Sequence, residues 1–349
     1  MKAAILHAQG DLRVGEIARP DAGPGEVLVK VAYCGVCGSD VPRLIKDGAH
    51  YYPIVLGHEF SGIIEAVGEG VDSSLVGRKT ACAPLIPNFA HPQSIKGNYA
   101  LGSGYSFIGS RRQGGYAEYV TMPLINAVLL PEHIDLLLAS LMEPLTVGLH
   151  AINIMGFTPG RAVAVTGVGT IGLLLVQSLR AMGAGTITVF DVDDAKLATA
   201  RAMGADFGFN SRRPEAADEA VAQVTGGEGF ATVFETAGVP AAEILALRLA
   251  GAKAHVMFVG TPHVPLVLEP SQFEMINRKE LNIQGSWMNY SAPFPGWEWD
   301  FGGKALANGK VIAEGVIDRV IPLSEAAIIP TLLSNQACLK GKLTLDCGA

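Results

Sequence analysis

Apolar and polar residues alternate along this chain with two different periods. Up to about residue 150 the apolar positions fall in short period-two runs such as Glu26-Val-Leu-Val-Lys-Val-Ala32, broken by glycine and proline, which predicts short strands joined by turns. From Arg161 the texture changes. Strand-like runs (AVAVT, TITVF, TVFET, KAHVMFV) alternate with helix-like ones (IGLLLVQSLRAM, DAKLATARAM, AAEILALRLA), the pattern of βαβ units and a parallel sheet. Beyond about residue 290 the pattern turns irregular around Pro293 and Pro295, then closes on a strand-like KLTLD expected to return to the first domain. The boundaries are drawn at 1–150 for a β-rich domain, 151–287 for an α/β domain and 288–349 for the returning tail.

Composition supports two cores. At 349 residues, with 49% hydrophobic and 17% charged residues, the chain is long for one domain and has ample apolar material for two. The net charge of −7, with no basic run beyond Arg111-Arg112 and Arg212-Arg213, argues against nucleic acid as a partner. The opening MKAAILHAQGDLRV turns polar too soon for a signal peptide. The apolar run Ala162 to Val176 is broken by Thr166 and Thr170, which suits a buried strand and helix better than a membrane span. Five cysteines, an odd number without secreted-domain spacing, give no disulfide framework, so a reducing cytoplasm is the expected location.

The clearest chemistry lies at Val163-Ala-Val-Thr-Gly167-Val-Gly169-Thr170-Ile171-Gly172, a G-x-G-x-x-G directly after a strand and at the start of a helix. The first glycine permits a tight turn, the second lets the backbone approach a pyrophosphate, and the third lets helix and strand pack closely. A lone motif of this kind arises by chance in a glycine-rich chain. Here a second strand, TITVF, is followed at once by Asp191, close to the offset at which an acidic side chain binds the adenosine ribose. Its carboxylate repels a 2′-phosphate, so NAD is expected rather than NADP; a plain helix cap is the competing role for Asp191.

Three segments of the first domain carry metal-ligand chemistry: Cys37 in GVCGSD, His58-Glu59 in GHEFSG and Glu143 in MEPLTVGLH. Each alone is bland, as a buried cysteine, a turn and a helix start. Together and in this order they resemble the zinc-containing medium-chain dehydrogenase/reductase family, whose pattern G-x-C-G-[ST]-D, G-H-E, E-P and a late Rossmann motif is followed over the whole chain. GAHYYPIVLGHEFSG, FIGSRRQGGYAEY, FETAGVP, RKEL and GSWMNYSAP extend the likeness toward that family's polyol-phosphate enzymes.

The resemblance implies a GroES-like β-rich catalytic domain joined to a doubly wound Rossmann domain. It also implies a catalytic zinc held by Cys37, His58 and either Glu59 or Glu143, and an NAD-linked oxidation of a polyol or polyol phosphate, with a non-phosphorylated polyol or a threonine-type amino alcohol as the alternative. Zinc takes sulfur, imidazole nitrogen and carboxylate oxygen, and a catalytic site keeps a position open. Asp40 matches the family's acid that orients the histidine ring, and Ser39 the first member of its proton relay; a turn or cap is the alternative for Ser39. Family members pair through strands near the end of the Rossmann sheet, here around Ala254–Val259 and Asn282–Ser286, so a homo-oligomer, at least a dimer, is expected.

One departure stands out. Many relatives carry a second, structural zinc on four cysteines in a lobe that corresponds to residues 87–106 here. The matching positions are Asn88, His91, Ser94 and Gly102, and His91 alone is a usual zinc ligand. One zinc per chain is therefore expected. Cys34 and Cys82 are read as packing residues, and Cys338 and Cys347 lie too far along the chain to join the lobe. Lys46, His50 and Arg112 are candidate contacts for a substrate phosphate.

Overall fold

In the computed structural model, which describes residues 1–334 and 339–348, the chain divides into two compact units. One comprises Met1–Thr146 with Tyr290–Ala349, the other Val147–Asn289. Cys338 lies outside the described residues.

The first unit is built on a seven-stranded sheet. Its order runs Ala127–Leu129, Lys79–Cys82, Glu59–Val67, Glu26–Gly35, Lys342–Asp346, Ile317–Pro322, with Tyr119–Pro123 also pairing to Glu26–Gly35. The KLTLD strand of the tail thus lies beside Glu26–Gly35, pairing Leu345 with Cys34, while Gly35 pairs with Glu59 on the other edge. Apolar side chains of these strands, among them Val29, Val31, Phe60 and Leu345, bury one core together with Leu6, Leu56 and Tyr116. Burial of this kind, about 25 cal/mol per Å², is what holds the register.

Register decides what stands at the sheet end. A Cβ on Gly35 would collide with the Glu59 carboxylate and lie 3.2 Å from Lys342 Cδ, so a residue with no side chain is required where two long polar side chains cross the strand. Gly57 is constrained twice: its φ of 93° is left-handed, and a Cβ there would meet Tyr116 Cε1 at 2.7 Å and Cys34 Sγ at 2.8 Å. This turn delivers His58 and Glu59 to the head of their strand.

The second unit is a six-stranded parallel sheet, ordered Phe207–Asn210, Ile187–Asp191, Val163–Thr166, Phe230–Glu235, Ala250–Phe258, Asn282–Gly285. The chain winds outward from Val163–Thr166 to Phe207–Asn210, then crosses back to Phe230–Glu235. The crevice between those two central strands is therefore a topological switch point, where α/β sheets bind ligands at the carboxyl ends of their strands. Strands this apolar (VAVT is wholly buried) are expected where both faces are covered. Phe230, Val233, Val256 and Phe190 lie in its core. No described helix is long and apolar enough to cross a membrane.

Candidate active site

Cys37 stands in the loop after Glu26–Gly35, and His58 and Glu59 at the start of the neighbouring strand. One ligand atom from each of the three lies within 4.8 Å of the others. His58 is buried, and its Nδ1 lies 3.8 Å from Asp40 Oδ1; neither atom has a hydrogen-bond partner among the described residues, and the ring's other nitrogen is left to Cys37. Asp40 is itself held, its Oδ2 accepting from the Tyr116 hydroxyl at 2.9 Å and from Cys37 N–H at 3.3 Å. Burial opposes a charged His58 ring, but the negative charges of Cys37 and Asp40 outweigh it and push its pKa up to about 10. A field that holds a proton so firmly suits a dication, and sulfur, imidazole and carboxylate are zinc's donor set.

Glu143, on the helix Met142–Met155, is buried and its charge is felt by His58, Tyr290 and Lys342, yet it stands outside the three-residue ligand group. Glu59 is paired instead with the buried ammonium of Lys342, which also donates to Val36 O at 3.3 Å. Burial disfavours the Lys342 charge, but Glu59 and Cys37 overcome that and raise its pKa. Ser39 is exposed, its hydroxyl 3.3 Å from Cys37 Sγ and its Oγ accepting from Arg43 Nη1 at 3.1 Å. Cys34 is fully buried, and burial pushes its thiol well up, as a packing residue requires.

In the second unit the three motif glycines have separable roles. Gly167 turns at φ 87°, Gly172 packs against Gly167 O and Thr236 Oγ1, and space above Gly169 is open. Asp191 Oδ2 accepts from Val168 N–H at 2.9 Å, which ties the acid to the glycine turn; the cap of the following helix is Asp193, whose side chain accepts from Ala195 N.

The matched segments carry the same message. Residues 23–132 match the model for the alcohol dehydrogenase GroES-like domain, and residues 170–301 that for zinc-binding dehydrogenases. The chain is 44% identical, over 319 residues covering 91% of it and 92% of the relative, to galactitol 1-phosphate 5-dehydrogenase of Escherichia coli K12. The chain belongs to the zinc-containing medium-chain dehydrogenase/reductase family. It is similar also to sorbitol dehydrogenase of Bacillus subtilis, at 31% identity over 97% of this chain and 96% of that one. The crystal structure of galactitol-1-phosphate dehydrogenase from E. coli superimposes with a TM-score of 0.94 at 41% identity, covering 99% of this chain and all of that one. The expected fold, a GroES-like domain with a Rossmann domain, is that of these relatives, and this member is a zinc-binding dehydrogenase.

The lobe of residues 87–106 in this dehydrogenase is held by hydrogen bonds and aromatic packing. Gly102 stands where a Cβ would lie 3.0 Å from His91 Nδ1 and 3.2 Å from Ser94 Oγ, so three of the four lobe positions named from the sequence lie together. His91 Nδ1 is used to accept from Gln93 N–H, and Asn88 donates to Ser103 O. Phe89, Tyr99 and Phe294 pack edge to face with centroids 5.3–6.0 Å apart, Tyr290 stacks on Phe294, and the Tyr290 hydroxyl accepts from Leu85 N–H at 2.8 Å. Such aromatic pairs contribute about 0.5–1.5 kcal/mol each beyond their area.

Sequence reasoning missed four contributors: Lys342, Arg43, Tyr116 and Glu235. It also offered Arg112 as a phosphate contact, whereas Arg112 is committed to Glu26 at 2.6 Å and to Thr121. Glu235 ends the strand beside Val163–Thr166. Its Oε1 accepts from Ala237 N–H at 2.7 Å and Gly238 N–H at 2.8 Å, shaping the turn that Gly167 packs against. Burial pushes its pKa up to about 6, with the Gly238 and Ala237 N–H groups pulling against it and Glu243 adding to it. A carboxyl raised in the folded state gives stability that is complete below its ordinary value, about 4.3, and is lost as pH rises through about 6. Urea unfolding across that window should therefore show the wild type losing of order 1–2 kcal/mol relative to Glu235→Gln. Parallel stability curves for the two proteins would refute this reading of Glu235.

Proposed function

We propose that this dehydrogenase uses one zinc ion and NAD to interconvert a secondary hydroxyl of a polyol phosphate, of the galactitol 1-phosphate kind, and the corresponding ketose. The convergence of Cys37, His58 and Glu59 within 4.8 Å carries the metal part of the reading, with Glu143 as a second carboxylate available to the ion. The relative at 44% identity carries the substrate class. Bound zinc supplies Lewis acidity that lowers the pKa of an alcohol oxygen. Bound NAD would supply the hydride acceptor, and Ser39 Oγ would accept the hydroxyl proton while passing its own toward solvent, with Arg43 Nη1 donating to the same oxygen. Asp40 orients the His58 ring, and Lys342 balances the charge of Glu59 when that carboxylate is not on the metal. A panel of sugar alcohols and their phosphates with NAD, read at the nicotinamide absorbance, tests the activity directly; no turnover of any polyol would end the proposal.

Cofactor choice follows from Asp191 beside the Gly167 turn, with the Thr170, Ile171 and Gly172 N–H groups at the helix start available to hold the phosphates NAD would bring. NAD should exceed NADP by at least about tenfold in kcat/KM, the effect of ~1.4 kcal/mol of repulsion against the 2′-phosphate. Equal efficiencies would contradict the role given to Asp191.

Ligand arithmetic gives the zinc count. Among the described residues the lobe offers one imidazole and no thiolate, too few for a closed tetrahedral site. Metal analysis of protein purified without added zinc should approach one ion per chain, and Cys37→Ser should lose that ion and turnover by orders of magnitude while still binding NAD. Chelation should abolish activity without unfolding. Two tightly held ions, or unfolding on chelation, would show the lobe misread.

A homodimer belongs to the same proposal. Asn282–Gly285 ends the parallel sheet as a fully exposed strand, and Ile283, Trp287, Val264 and Val267 are exposed on the same unit. Unpaired edge groups next to apolar surface favour pairing with a second copy. Light scattering should give at least twice the 36.5 kDa chain mass; a monomer at micromolar concentration would count against it.

A further inference from the structure

We propose that Glu235 is a positioning residue of the dinucleotide site, whose carboxylate sets the spacing of the turns on the returning side of the crevice, the side left to the nicotinamide half of NAD. This rests on the NAD reading above and names the group that shapes one half of the crevice.

The Glu235 side chain is fully buried at the end of Phe230–Glu235, the strand that lies across the switch point beside Val163–Thr166. Its Oε1 takes two donors at once, Ala237 N–H at 2.7 Å and Gly238 N–H at 2.8 Å, and so closes a tight turn. Two backbone donors in a buried turn must find an acceptor, and Oε1 supplies it. The Glu235 carbonyl holds the next strand end, accepting from Val259 N–H at 2.8 Å and Gly260 N–H at 3.1 Å. Oε2 stands so close to Gly260 that a Cβ there would come within 2.7 Å of it. Gly238 completes the junction in a left-handed conformation, φ 64°, where a Cβ would lie 2.5 Å from Thr261 O. One residue thus ties together the ends of Phe230–Glu235 and Ala250–Phe258.

The turn it closes is built onto the glycine motif. Thr236 N–H donates to Thr166 O at 2.9 Å, the Thr236 hydroxyl donates to Gly167 O at 2.7 Å, and a Cβ on Gly167 would meet Ala237 Cβ at 2.7 Å. A shift of the Ala237 turn is therefore a shift of the wall beside Gly167. A dinucleotide straddles the point where strand order reverses. Asp191, the acid expected to take the adenosine ribose, reaches the motif from the outgoing side, through Val168 N–H at the end of Ile187–Asp191. The other half of the dinucleotide falls to the returning strands, whose ends Glu235 fixes.

The test compares dissociation constants of NAD and AMP, by isothermal titration, in the wild type, Glu235→Gln, Glu235→Leu and Thr236→Val. Glutamine keeps an acceptor at Oε1 and should bind NAD within about threefold of wild type. Leucine fills the space without accepting, and should weaken NAD by about ten- to hundredfold while AMP, held on the Asp191 side, stays within about threefold. Thr236→Val keeps the packing and drops only the hydroxyl bond to Gly167 O, and should show the same split at about three- to tenfold. Should the leucine variant not fold, the valine variant decides. A lesion in stability alone would weaken both nucleotides together. Equal weakening of NAD and AMP, unchanged NAD affinity in the folded variants, or a glutamine variant as poor as the leucine one would overturn the assignment. A wild type that binds neither nucleotide would instead remove the NAD reading on which the assignment rests.

Discussion

The pairing of Gly35 with Glu59 across two antiparallel strands is the constraint on which the rest of the site depends. Side chains alternate along a strand, so a slip of one residue would turn His58 and Glu59 each to the other face and move both away from Cys37. The register is held from both sides, by the apolar core under Val31 and Phe60 and by the tail strand that brings Lys342 against Glu59. Lys342 explains why this charge cluster folds at all. Leaving one charge of a buried pair without its partner costs about 3–5 kcal/mol, and Glu59 without Lys342 would meet that penalty whenever no metal is bound. The tail therefore returns to the first unit with a chemical task as well as a packing one.

The same economy appears in the lobe. Three of the four lobe positions singled out in the sequence, His91, Ser94 and Gly102, lie together, with no thiol among them. Hydrogen bonds of His91 and Asn88 and the aromatic contacts of Phe89 and Tyr99 with Phe294 hold the segment, anchoring it to a distant part of the chain. In the second unit Asp191 holds the glycine turn through Val168 N–H, and Glu235 holds the neighbouring turn at Ala237 and Gly238 on which Gly167 packs.

Fold class was legible because period-two and helix-like runs change over near residue 160, and because the glycine motif sits at a strand-to-helix junction where its physics applies. The strand Phe207–Asn210 escaped notice: four residues with a central glycine give too short a run to show a period. The ligand group was legible through motif order, since Cys37 and His58-Glu59 are meaningless apart. Lys342 was not, because a lysine opening a terminal strand looks solvated until its neighbours in the sheet are known. Tyr116 reads as a core aromatic, and only its contact with Asp40 gives the hydroxyl a purpose. Arg111 and Arg112 cannot be told apart in sequence; Arg112 pairs with Glu26, whereas Arg111 lies over the Tyr105 ring with no carboxylate partner among the described residues.

The central claim is that strand register assembles one mixed-donor zinc site from Cys37, His58 and a carboxylate. X-ray absorption at the zinc edge of the resting enzyme tests it most directly. The account predicts a single sulfur at about 2.3 Å together with nitrogen and oxygen donors at about 2.0–2.2 Å, in protein carrying one ion per chain. A shell without sulfur, or one averaging several sulfurs per zinc, would contradict it.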